Sequence, residues 1–432
     1  MKPLTHQTDI SKQAYNILKK HMVVYLAMEE RTGKTLTSIL VAEQCSDAIT
    51  NILVITKKQA IKGWEDTLKQ FQHTKNYKVT NYHQAHKLKE SDYHLVILDE
   101  AHCYLSAYPK PSKTCEVVKG ITDPIIIRDK VTNKKLNTRN LVKLKPETKA
   151  KVNVIHANPK PIIYLSATPS SNSLSLLFHQ FILSAWSPFG DCDFYEWFSR
   201  YGIPKMKYFG GRNTIDYSQI KPNTIEPLYQ HLFISYTRQQ LGFKHEPCDK
   251  THFVTLHPAL AELYNKLAKC GVASYNDIDI IADTPMSELT KLHQLEGGTI
   301  KTEEGGITLP WNDKIDYIKQ TWGDTDQLVI FYHYQQEKSK LEAAFQNAKI
   351  LQAVSFAEGV DLSMYETLVI YSMNFSTAQY TQRRARQANY AREKPIEVHY
   401  LLVKDGISEQ VYNCVAKNKK NFVDKYFNRV EL

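Results

Sequence analysis

Val23-Val24-Tyr25-Leu26-Ala27-Met28-Glu29-Glu30-Arg31-Thr32-Gly33-Lys34-Thr35, continuing into LTSILVAEQC, is the stretch on which the fold turns. A short apolar run, a polar loop closing on Gly-Lys-Thr and a helix-like pattern give the strand, loop and helix that a phosphate-binding loop requires. Gly33 lets the backbone turn tightly, so that N–H groups of the loop, Arg31 and Thr32 included, face phosphate oxygens. Lys34 offers a point charge to the β- and γ-phosphates, and Thr35 a hydroxyl to Mg²⁺. The usual first glycine is absent, and Met28 stands in its place.

Outward from this loop the pattern repeats. NILVIT (51–56) leads to an amphipathic segment around Trp64 and Phe71. YHLVIL (93–98) ends at Asp99-Glu100-Ala101-His102, and PIIYL (161–165) at Ser166-Ala167-Thr168-Pro169. Continuous apolar strands alternating with helical patterns predict a buried parallel sheet. Polar residues at the carboxyl ends of such strands are where ligands bind. Asp99 can hold Mg²⁺ directly or through water, and Glu100 can orient and deprotonate an attacking water. Gly-Lys-Thr alone arises by chance, and Asp-Glu alone is an ordinary acidic turn. Both in this order make an ATP·Mg²⁺ site the expectation.

From about residue 174 to 300 the chain turns aromatic-rich (FHQFILSAWSPFGDCDFYEWFSRYG) and then mixed helical (ALAELYNKLAKC). Strands reappear at QLVIFYH (327–333), 349–354, TLVIYS (367–372) and IEVHYLLV (396–403). The predicted class is α/β with two parallel-sheet domains, 1–185 and 306–432. A helical, aromatic region (186–305) joins them, and the first domain carries a basic insertion at about 110–160.

The 432 residues are 42% hydrophobic and 23% charged, which argues against wholesale disorder, collagen or coiled coil. The net charge of +10 is modest for this length, but it is not evenly spread. Lys110 to Lys160 holds thirteen Lys/Arg against four Asp/Glu, a local net of +9. The turn-like TNKKLNTRN inside it, between PIIIRDKV and LVKLKP, predicts an excursion of strand or hairpin character. A solvated surface loop is the ordinary reading of such a charge run, but this one lies between Asp99-Glu100-Ala101-His102 and Ser166-Ala167-Thr168-Pro169 and is too long for a plain strand connection. Seven cysteines without a CxxC pair predict neither a disulfide framework nor a structural zinc site. No stretch reaches the roughly 18 apolar residues that span a bilayer, so the expectation is a soluble, cytoplasmic protein with no membrane partner.

At this point the motifs form an ordered set that resembles the superfamily 2 helicases and translocases. LSATP (165–169) resembles motif III, VITKKQAIKGWEDTLKQF (54–71) motif Ia, QLVIF (327–331) motif IV, SFAEGVDLS (355–363) motif V and AQYTQRRARQ (378–387) motif VI. Gln7 in LTHQ resembles the glutamine that reads adenine. The Trp after motif Ia, the aromatics from Phe194 to Tyr201, the stretch Lys291 to Gly298 and the ending Val398 to Tyr412 are similar to the Swi/Snf-like branch, here with a literal DEAH box. The compact length suggests a phage or mobile-element member.

The resemblance implies two RecA-like domains that sandwich ATP·Mg²⁺. It implies nucleotide contacts from Gln7, the phosphate loop, Gly359 and Asp361, and coupling through His102, Ser166 and Thr168. Thr56, Lys57 and Ser355 would touch the nucleic-acid backbone, and Lys134, Lys135 and Arg139 of the basic insertion would lie against duplex or a fork. Motif VI departs from the pattern. Gln382 gives Arg386 and Asn389 at the family spacing, whereas Gln379 gives Arg383 and Arg386. Arg386 is therefore the expected arginine finger, with Arg383 second and Arg392 in reserve. The implied activity is ATP-dependent movement on, unwinding or branch migration of DNA that is forked, branched or duplex. Replication or recombination proteins are the further partners of such an enzyme. An RNA helicase, or a nucleic-acid loading factor with a weakened ATP site, is the alternative.

Overall fold

A computed structural model describes residues 2–135, 151–170, 173–209, 212–245, 247–302, 305–352, 362, 364–375, 380 and 396–417. The chain divides into two compact units, 1–241 and 242–432. The region expected to join two domains is thus shared out between them, and it holds strands as well as helices.

In the first unit, α1 (Thr5–His21) precedes β1 (Val23–Leu26), α2 (Lys34–Glu43), β2 (Asn51–Thr56), α3 (Ile61–Gln70), β3 (Asn76–Asn81) and β4 (Leu95–Asp99). After these come α4 (Lys113–Thr122), β5 (Ile125–Asp129), β6 (Val152–His156), β7 (Ile162–Leu165), α5 (Leu176–Phe181) and α6 (Phe194–Tyr201). The unit ends with β8 (Lys205–Phe209), β9 (Arg212–Asp216), α7 (Glu226–Tyr229) and β10 (Phe233–Ile234). Six strands pair in parallel in the order β10-β1-β7-β4-β2-β3. Every residue of β1 and β7 is buried, as is β4 up to Asp99, which is why these strands read as unbroken apolar runs. Three aromatics of α6 are core: Phe194, Trp197 and Phe198 pack with Phe178 of α5, and Trp197 is fully buried.

The basic insertion begins as helix α4 and continues as an antiparallel hairpin of β5 and β6, in register from Ile125↔His156 to Asp129↔Val152. His156 Nδ1 bonds Asp123 Oδ1 at 2.6 Å at its base. Most of TNKKLNTRN and all of LVKLKP lie outside the described residues. Lys134 and Lys135 lie exposed beyond β5, with Lys135 bridged to Arg128. Arg139 lies outside the described residues.

In the second unit, β11 (Pro247–Phe253), α8 (Pro258–Cys270), the hairpin β12 (Val272–Tyr275) and β13 (Ile278–Ile281), α9 (Pro285–Glu296) and the hairpin β14 (Thr299–Thr302) and β15 (Gly305–Thr308) come first. They are followed by α10 (Asp313–Thr321), β16 (Leu328–Tyr332), α11 (Gln335–Ala344), β17 (Lys349–Gln352), β18 (Thr367–Ile370), β19 (Ile396–Leu402) and α12 (Ile407–Tyr412). Its sheet is also wholly parallel, in the order β11-β19-β18-β16-β17. Both units are α/β, each built on a parallel sheet, as the strand pattern predicted. Among the described residues no helix is long and apolar enough to cross a membrane.

Candidate nucleotide site

β1 and β4, which carry the two halves of the expected site, are separated in the sheet by β7 alone. Their carboxyl ends therefore deliver the Gly-Lys-Thr loop, Asp99-Glu100-Ala101-His102 and Ser166-Ala167-Thr168 to one edge. Sequence distances of 64 residues or more collapse there to hydrogen-bond range. His102 Nδ1 and Ser166 Oγ are 2.8 Å apart, His102 Nε2 lies 3.4 Å from Thr168 Oγ1, and the Thr168 N–H donates to Ser166 Oγ at 3.0 Å. Gln180 of α5 fixes the turn: its amide donates to the Pro169 carbonyl at 3.0 Å while its Oε1 accepts the Tyr25 hydroxyl of β1 at 2.7 Å.

The loop leads into α2, whose free N–H groups form an anion site at the helix N-terminus. Gly33 caps that helix at φ +85°, a left-handed conformation that L side chains rarely adopt. Gln7 of α1 lies against it, so closely that a Cβ at position 33 would collide with the Gln7 amide. Gln7, expected at adenine, packs against Gly33, and its Oε1 accepts the Leu4 N–H at 2.9 Å. Lys34 Nζ donates to the carbonyls of Met28 at 2.8 Å and Glu29 at 2.9 Å, so the ammonium is folded onto its own loop. Arg31 also adopts a positive φ, +67°.

The acidic pair is held differently at its two members. Asp99 Oδ2 accepts the Thr56 hydroxyl at 2.7 Å and the Trp64 indole N–H at 2.9 Å, and the Asp99 carbonyl accepts the Tyr82 hydroxyl at 2.8 Å. Glu100 sits at φ +51°, a strained position for a non-glycine residue. Its Oε2 is buried and accepts no hydrogen bond, although His102 Nδ1 is 3.4 Å away. Burial and the neighbouring Asp99 carboxylate push the Glu100 carboxyl up to about 7, against the pull of Lys34 and Lys57. Burial, aided by Lys57 and Lys34, pulls His102 down to about 4, so its ring is neutral at pH 7.

These donors fit ATP with Mg²⁺. Asp99 and the Thr35 hydroxyl are the kind of oxygen ligands such an ion takes, and the buried Glu100 oxygen, which accepts no hydrogen bond, is a candidate base for water. Glu100, His102 and Cys103 also bring ligand atoms within 4.8 Å of one another, but nitrogen and sulfur donors do not suit Mg²⁺.

Two expectations need correcting. Thr56 and Lys57, assigned to the nucleic-acid backbone, are 0% and 6% exposed. Thr56 spends its hydroxyl on Asp99, and Lys57 acts electrostatically on Glu100 and His102, because the end of β2 lies beside the end of β4 in the sheet. Ser355, Gly359, Asp361, Arg383, Arg386 and Arg392 lie outside the described residues. Two residues escaped sequence reasoning: Tyr82, whose signal was nil, and Arg238, whose side chain lies 3.7 Å from a Glu29 oxygen and 3.8 Å from a Glu30 oxygen.

No protein-family model matches the chain, and no curated protein matches it. Among solved structures it is similar to the Sulfolobus solfataricus SWI2/SNF2 ATPase core in complex with dsDNA. The identity is 15%, the TM-score 0.42, and the alignment covers 96% of this chain and 91% of that one. The α/β class itself rests on the strand order and register of the two sheets.

Proposed function

We propose that the chain is a DNA-dependent ATPase that couples ATP hydrolysis to movement on, unwinding or branch migration of DNA. The observation that carries the reading is the junction at the sheet edge. An unpartnered Glu100 carboxylate oxygen lies 3.4 Å from His102, and His102 is bonded at 2.8 Å to Ser166 of the SATP turn. A base for water and a hydrogen-bonded relay to the next strand are what a motor needs in order to sense its own hydrolysis.

In this reading the phosphates take the N-terminus of α2, and Lys34 exchanges the carbonyls of Met28 and Glu29 for phosphate oxygens. Thr35 and Asp99 would hold Mg²⁺, which supplies positive charge against the β- and γ-phosphate oxygens. Glu100 accepts a proton as the water oxygen bonds to the γ-phosphorus and the bond to the β–γ bridging oxygen breaks. Arg386, with Arg383 second, is assigned to the charge that develops there. Loss of the γ-phosphate changes what Glu100 and His102 face, and Ser166 and Thr168 carry that change to β7. The basic hairpin supplies phosphate contacts, which bind without regard to sequence and weaken steeply with salt.

The test is ATP turnover with forked, duplex and single-stranded DNA and with RNA, for the wild type and Glu100→Gln. Stimulation by DNA that Glu100→Gln abolishes is the expected result. Stimulation by RNA alone would make the enzyme an RNA helicase, and turnover unaffected by Glu100→Gln would leave a loading factor with a decayed ATP site.

A further inference from the structure

The phosphate loop carries two carboxylates, Glu29 and Glu30, directly before the residues that would receive a polyanion. Such a loop repels ATP unless its charge is answered locally, and the Lys34 ammonium is engaged by the carbonyls of Met28 and Glu29. The structure brings the answer from more than two hundred residues away. After pairing with β1 through Tyr25↔Phe233 and Leu26↔Ile234, the chain of β10 keeps alongside the loop. The Ala27 N–H donates to Ile234 O at 2.9 Å, and the Glu29 N–H to Tyr236 O at 3.1 Å. Arg238 then closes onto it. Its backbone N–H donates to Glu29 Oε2 at 2.8 Å, its Nε lies 3.7 Å from the same oxygen, and its Nη1 lies 3.8 Å from Glu30 Oε2 and donates to Glu30 O at 3.4 Å. The Arg238 side chain is 8% exposed. Its own carbonyl accepts the Leu241 N–H at 3.1 Å, and Leu241 is the last residue of the first unit.

We propose that Arg238 is a positioning residue for the nucleotide. It neutralises and orients the Glu29-Glu30 side of the phosphate loop, and it ties that loop to the segment that leads, four residues later, into the second unit. The planar guanidinium reaches both carboxylates and a carbonyl with donors fixed in one plane, where the donors of an ammonium rotate about a flexible stem. The closeness of ATP affinity to the connector is then built into the chain: any rearrangement of residues 236–241 reaches Glu29 and Glu30 through three hydrogen bonds. This inference rests on the reading of the loop as an ATP site.

The experiment is titration of the full chain with a fluorescent ATP analogue, with turnover measured alongside. Arg238→Gln should weaken nucleotide binding by about tenfold, seen as a raised KM with kcat at saturating ATP changed much less. Arg238→Lys should recover only part of the affinity. Arg238→Gln combined with Glu30→Gln should bind more tightly than Arg238→Gln alone, because the second change removes the charge left without its partner. Loss of packing alone would not be repaired in that way. A wild type that binds no nucleotide overturns the ATP reading together with this inference. A wild type that binds, beside Arg238→Gln with unchanged affinity, overturns the inference alone, as does a double variant no tighter than the single one. Should Arg238→Gln fail to fold, Arg238→Lys carries the comparison, and affinity equal to wild type refutes the role of the fork.

Discussion

The Trp64 indole N–H and the Thr56 hydroxyl converge on one oxygen, Asp99 Oδ2, at 2.9 and 2.7 Å. Trp64 is 2% exposed and belongs to α3, so a helix that follows the second strand clamps the acid at the end of the fourth. Trp64→Phe keeps the packing and removes one of the two bonds. It should lower stability by about 1–2 kcal/mol, read from the denaturant midpoint, and should reduce ATP turnover by loosening Asp99. Thr56→Val should act in the same direction. A double variant no worse than the sum of the two would show that the bonds act independently.

Glu100 predicts a pH profile with a definite sign. A base works when deprotonated, so kcat/KM for ATP should rise with pH through about 7. Stability runs the other way. The folded-state pKa is raised above the ordinary carboxyl value, so between roughly 4.5 and 7 the folded chain keeps a proton that the unfolded chain has lost. Stability therefore falls as pH rises through that window. Glu100→Gln should melt higher than the wild type at pH 8, with the difference gone by pH 4. Parallel melting curves across that range would refute the shift.

At Gly33 the backbone and the space agree. The φ of +85° strains any L side chain, and a Cβ would strike the Gln7 amide. Gly33→Ala should cost about 1–2 kcal/mol and weaken nucleotide binding further, as Gln7 and the loop are pushed apart. Gly33→Ala with Gln7→Ala relieves only the collision, so it should recover part of the stability in thermal melting.

Ser166 and His102, the proposed relay, should separate turnover from its stimulation. Ser166→Ala removes the 2.8 Å partner of His102 Nδ1. The ratio of DNA-stimulated to basal ATPase should fall several-fold, more than basal turnover does. An unchanged ratio would remove the coupling role.

The basic hairpin can be shortened with its paired strands kept. The Lys130 N–H donates to Lys151 O at 2.8 Å and Asp129 faces Val152, so a two-residue turn in place of residues 131–150 preserves β5 and β6. That exchange removes Lys134, Lys135, Arg139, Lys143, Lys145 and Lys149. DNA affinity should fall, and its dependence on log salt should flatten by about 0.9 for each phosphate that is no longer neutralised. Basal ATPase without DNA should persist. Equal salt slopes for the two proteins would exclude the hairpin from the DNA interface.

Much of the architecture was legible because a strand buried on both faces leaves an unmistakable trace. NILVIT is β2 to the residue, and VVYL, LVIL and IIYL lie wholly in the core. Less apolar strands were not legible. β3 (NYKVTN), at a sheet edge, alternates exposed and half-buried residues before two buried ones, and β11 (PCDKTHF) is largely polar yet pairs with β19 over seven residues. The change of character near residue 174 suggested a third region. It reflects instead an aromatic core cluster of the first unit, packed from α5 and α6.

The chemistry was already written in the order of residues: an anion loop, an acid pair and a Ser-Ala-Thr turn, each at the carboxyl end of an apolar run. These are local properties, fixed by residue type and the two or three positions around it. Which side chains meet is a property of the packed sheet. Only the order β10-β1-β7-β4-β2 puts Ser166 against His102, Thr56 and Trp64 on Asp99, and Arg238 on Glu29 and Glu30. A sheet neighbour is chosen by the packing of the whole unit, so a residue's partner across it leaves no mark in the sequence on either side.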